Sequence, residues 1–142
     1  MRRNSRQVVR RRRTGMLSRM PAERVLYCLT RDRELAAALD ERLVGAIAFF
    51  YNDAARLHQA IVLRPPDSVV IDTGAIRPEY GDAGLGPVIT FVRERVAEGS
   101  IAVRPVPGAE WLVAAEAGPV ATIVPAELDA CVDAVGAFLR LT

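Results

Sequence analysis

Lysine is missing from this chain: all 19 basic residues are arginine. That removes the compact ammonium on which phosphate-binding loops depend. Histidine occurs once, as His58. A general base needs a nucleophile within reach, and no serine or cysteine motif accompanies it, so His58 reads as a partly exposed helix residue without catalytic duty. Cysteine occurs only as Cys28 and Cys131, in segments of buried character. With no close Cys/His spacing there is no zinc motif, and free, buried, cytosolic thiols are the expectation. No apolar run approaches the roughly 18 residues that a membrane-spanning helix requires.

What is present is unevenly distributed. The 142 residues suffice for one ordinary domain and not for two. Eight arginines (2, 3, 6, 10, 11, 12, 13 and 19) and no acid fall within residues 1–20, while the rest of the chain carries all 17 acids. A basic tail over residues 1–21, expected to be disordered, therefore precedes an acidic domain over 22–142. The run Arg10 to Arg13 would attract nucleic-acid phosphates without sequence preference, but no aromatic residue is interleaved to stack on bases. Two other readings stay open: an organellar transit segment, or a start codon assigned too early, with Met16 or Met20 as the first residue.

From residue 24 the chain alternates short apolar runs with helical periodicity. Strands are predicted at Arg24 to Leu29, Val44 to Tyr51, Ser68 to Ile71, Ile101 to Val103 and Ala121 to Val124. Helices are predicted between them. The first is capped by Asp32 and buries Leu35, Leu39 and Leu43; the second is capped by Asp53 and buries Ala54, Leu57 and Ile61. The third carries Val88, Phe91, Val92 and Val96 and stops at Gly99. A short helix spans about Ala109 to Ala117, and the last runs from about Ala126 to Leu141. The third strand has no polar alternation, as befits a central strand of a covered parallel sheet. Five strand–helix units imply a three-layer α/β (βα)5 domain of flavodoxin-like order 2-1-3-4-5. Thr30 to Asp32, Asp72, Pro105 and Pro125 should then meet at the C-terminal edge of the sheet.

The run Arg64-Pro65-Pro66-Asp67-Ser68-Val69-Val70-Ile71-Asp72, with Asp32-Arg33-Glu34-Leu35 and Ala117-Gly118, resembles the receiver domain of two-component response regulators. The resemblance covers residues 24 to 141 in element order and spacing. It implies a flavodoxin-like fold, an acceptor role for Asp72, and a partner or dimer face on helix 4, strand 5 and helix 5. It also implies an acidic pair after strand one that holds a divalent cation, a Ser or Thr after strand four, and a lysine and an aromatic residue near strand five. This chain departs from that pattern. Thr30 and Arg31 stand in place of the acidic pair, leaving Asp32 a vestigial candidate better explained as a helix cap. Arg104-Pro105-Val106-Pro107 replaces the hydroxyl, Val124-Pro125 the lysine and Thr122 the aromatic residue. Arg31, Arg77 or Arg104 could supply the lysine's charge, but as a planar fork rather than a point.

These departures favour a degenerate, stand-alone receiver-like module of a signalling pathway. It would have no enzymatic activity, cofactor or metal, and would act by binding a protein partner, with a homodimer through the same face as one form. Asp72 is then expected to bond backbone N–H groups of the glycine-rich connection after it rather than accept a phosphoryl group. Trp111 is expected in the core, with an interface anchor as the alternative. Two other classes remain: a phosphoaccepting receiver using Asp72, and a nucleotide- or nucleic-acid-associated protein using the loop Gly81 to Gly86 or the arginine tail. The arginine bias points to a G/C-rich bacterial genome and a cytoplasmic protein. No membrane association is expected.

Overall fold

The structure is a computed structural model and describes residues 24–77, 84–117 and 120–141. The arginine-rich tail and residues 81–83 of the loop at 81–86 lie outside the described residues. The elements run β1 (Arg24–Leu29), α1 (Arg33–Arg42), β2 (Ala46–Tyr51), α2 (Ala54–Leu63), β3 (Ser68–Asp72), a 3-10 turn (Thr73–Ala75), α3 (Leu85–Arg93), β4 (Ile101–Arg104), α4 (Glu110–Ala117), β5 (Thr122–Ile123) and α5 (Leu128–Leu141). Every strand pairing is parallel, and the sheet order is β2-β1-β3-β4-β5. This is the flavodoxin-like arrangement that the alternation predicts.

Side-chain alternation along the strands divides the core into two layers. Tyr27, Leu29, Val69, Ile71, Ile101 and Val103 face one side, where Leu57 and Ile61 of α2, Val88 and Val92 of α3, and Val113 of α4 cover them. Leu26, Cys28, Val70 and Ala102 face the other side, against Leu35 and Leu39 of α1 and Cys131, Val132 and Val135 of α5. All five residues of β3 are buried, which is why that run shows no polar alternation. Among the described residues, no helix is long and apolar enough to cross a membrane.

Several boundaries differ from expectation for identifiable reasons. β2 begins at Ala46 rather than Val44, whose residue is 95% exposed. Gly45 intervenes with φ +80°, a left-handed turn that breaks the apolar run. α3 stops at Arg93, well before Gly99, which takes φ +81° in the turn entering β4. β5 shrinks to two residues at the sheet edge, where only β4 pairs with it. α5 starts at Leu128 because Glu127 accepts hydrogen bonds from the backbone N–H groups of Asp129 (3.2 Å) and Ala130 (2.8 Å), as a capping residue does.

Candidate functional site

Parallel strands bring their C-terminal ends to one edge, and four polar residues meet there. Asp72 closes β3 and is 7% exposed; Arg104 closes β4 directly beside it in register. Thr30 follows β1 and is buried, and Asp32 lies two residues farther on, at the start of α1.

The Arg104 guanidinium is the hub. Its side chain is 11% exposed. Nη1 donates to Asp32 Oδ2 at 2.9 Å and to Asp72 Oδ2 at 3.4 Å. Nε and Nη2 both donate to the carbonyl oxygen of Ala126, at 3.0 and 2.6 Å. One side chain thus ties β4 to β3, to the start of α1 and to the segment leading into α5. A second link runs through Thr73, whose hydroxyl donates to the Arg104 carbonyl at 3.1 Å and accepts from the Val106 N–H at 3.0 Å.

Asp72 is occupied on both oxygens. Oδ2 accepts the Thr30 hydroxyl at 2.6 Å as well as Arg104, and Oδ1 accepts the Gly74 N–H at 3.4 Å. The expected backbone bond to the glycine-containing connection is therefore present, but it is as long as the Arg104 contact and much longer than the Thr30 bond. Thr30 also accepts the Asp32 N–H at 3.0 Å, so the β1–α1 turn is organised around that hydroxyl. Spacing alone gives Thr30 no such role.

Asp32 does two things at once. Its Oδ1 caps α1 by accepting from Glu34 N (3.0 Å) and Leu35 N (3.2 Å), and its Oδ2 holds Arg104. The bond from Arg104 lowers its pKa most; burial opposes, and the two cap N–H groups add to the lowering. Burial works against the charge on Arg104, but its bond to Asp32 and the charge of Asp72 outweigh that, and its pKa rises above the ordinary value. Among the described residues, no three His, Cys, Asp or Glu side chains gather as a set able to hold a metal ion.

The remaining candidates fall elsewhere. Arg31 turns to the Asn52 carbonyl at 3.2 Å, so of the three arginines considered for Asp72 it is Arg104 that reaches it. Trp111 is 72% exposed and does not enter the core, which corrects the expectation. Residues 111 to 115 are uniformly apolar and give no sidedness to read; packing selects Val113 and Ala117, one turn apart, as the inner stripe. His58 is partly exposed and stacks on Phe91, with ring centroids 4.0 Å apart, and the Arg95 guanidinium lies 3.8 Å from that ring's centroid. Cys28 and Cys131 are buried and free. Burial raises both thiol pKa values, that of Cys131 to about 11.

Two predictions follow from this network. Replacing Arg104 by Met leaves two carboxylates facing each other and should destabilise the protein by about 3–5 kcal/mol in urea unfolding. Adding Asp72→Asn should recover part of that loss; a cost below about 1 kcal/mol would remove Arg104 from its central place. Asp32 has a depressed folded pKa, so its charge contributes stability in full above the ordinary carboxylate value of about 4. That contribution is lost as the pH falls through this value toward the folded one. Asparagine can still cap α1, so the melting-temperature gap between wild type and Asp32→Asn should be open at pH 7 and close below about pH 4. A gap independent of pH would contradict the charge assignment.

Neither a family model nor a curated protein matches the chain.

Proposed function

We propose that this protein is a receiver-like signalling module that works by binding a protein partner and does not use Asp72 as a phosphoryl acceptor. One observation carries the reading: the Arg104 guanidinium lies against both Asp32 and Asp72, the two carboxylates that a cation at this edge would need. A divalent cation such as Mg²⁺ needs near-octahedral oxygen ligands and tolerates no fixed positive charge among them. Phosphoryl transfer depends on positioning and on neutralising the charge that develops on the oxygens. Here the available neutralisation is already spent on the carboxylates themselves. An attacking Oδ2 would also have to give up the Thr30 hydroxyl and the guanidinium, and an attacking Oδ1 the Gly74 N–H.

The partner face proposed is that of α4 and β5. Trp111, Leu112 and Val106 are exposed, and Ile123 is exposed on the edge strand beside them in sequence order. An exposed tryptophan among aliphatic neighbours is a natural anchor for a protein interface, and burial by a partner would remove that apolar surface from water. A second copy of the chain is one such partner.

The test uses a small phosphodonor, acetyl phosphate, with Mg²⁺ and intact-mass detection. The mass should stay unchanged over a time course that saturates a competent acceptor. A phosphate adduct that disappears in Asp72→Asn would reverse the proposal in favour of the phosphoaccepting reading, with Arg104 then serving as the charge beside the phosphoryl group.

A further inference from the structure

The opposite, N-terminal edge of the sheet carries a cavity of about 630 Å³, within the range of small-molecule sites. Arg24 opens β1 on its wall, Arg42 ends α1, and Arg140 lies in the last turn of α5. Asp133 is the one acid among the described residues lining it, and Arg42 already engages it at 3.1 Å. Among the described residues, Arg24 and Arg140 are therefore left without an acid on this wall. The Nε of Arg24 is buried with no hydrogen-bond partner. A buried guanidinium N–H without an acceptor is costly, and an anion in the cavity would supply the acceptor.

A second feature concerns the shape of the space. Gly136 sits inside the 14-residue α5 and lines the cavity one turn before Arg140. Glycine weakens a helix interior relative to alanine. Close packing does not demand it here, because a Cβ at this position would meet nothing nearer than Arg140 Nη1 at 3.6 Å, ordinary contact. A larger side chain would take up the room beside that guanidinium. The floor is apolar, formed by Leu43, Val132 and Leu139, with the exposed Val44 at the rim.

From these observations we infer that the cavity is a binding site for a small anion, a phosphoryl or carboxylate group carried on an apolar body. The arginine forks at positions 24 and 140 can each bind two oxygens of either group, and the floor takes the body. The site lies at the far end of the strands from Asp72 and does not depend on the function proposed for that edge.

The test is an amide NMR titration of the full chain at constant ionic strength, with octyl phosphate in one arm and octanoate in the other. Saturable shifts at Arg24, Gly45 and Gly136 are expected in at least one arm. Saturation by octyl phosphate assigns the phosphoryl class, and by octanoate the carboxylate class. Arg140→Gln, an exposed change that leaves the core intact, should weaken binding roughly tenfold or more. Gly136→Leu, which keeps every charge and fills the space, should abolish it. Saturation by neither probe, or unchanged affinity in Arg140→Gln, overturns the inference.

Discussion

Arg104 bonds the carboxylates of Asp32 and Asp72 and the carbonyl of Ala126 from a side chain almost shut off from water. The character of the C-terminal sheet edge depends on this contact. Asp72 is buried at the end of the central strand, and a buried carboxylate must be paired or give up its charge. The parallel register sets Arg104 beside Asp72, so its partner comes from the adjacent strand rather than from solvent. The same guanidinium reaches the cap residue of α1 and the segment entering α5. The β1–α1 turn and the segment entering α5 are thereby cross-linked to β4.

An ammonium or a metal ion would not serve in the same way. Arginine keeps its charge at any accessible pH, loses less on dehydration than a compact ammonium, and offers several donors in one plane. Here Nη1 is shared between two carboxylates while Nε and Nη2 converge on a single carbonyl. Both oxygens of Asp72 are engaged: the Thr30 hydroxyl bonds the same oxygen as Arg104, and the Gly74 N–H the other. The cavity at the other edge differs, since among the described residues its arginines outnumber its acids and one buried guanidinium nitrogen lacks an acceptor.

The layered fold was legible because periodicity is a direct trace of burial. Ala54, Leu57 and Ile61 repeat at helical spacing and are the buried stripe of α2, and the unbroken run Ser68 to Ile71 is the central strand. Asp32 and Asp53 were readable as caps because their acceptors satisfy N–H groups that every helix start leaves open. Composition failed where it lacks contrast, as over 111 to 115, where only the docking of α4 decides that Trp111 faces out. It also failed at Val44, where a glycine turn rather than hydropathy sets the strand boundary. The site was half visible: Asp72 stands out at a strand end, and Arg104 can be named as a source of charge. Its bonds to Asp32 and Ala126, and the hydroxyl bond from Thr30, join residues far apart in sequence, and only the strand register reveals them.

If Arg104 already fills the place of a cation, then adding one should change nothing there. The direct measurement is a Mg²⁺ titration of the wild-type protein followed by amide NMR. Thr30, Asp32, Asp72 and Arg104 should show no saturable shift through the millimolar range. Saturable shifts at these residues would mean that the guanidinium yields to the metal, and the closed reading of this edge would fall.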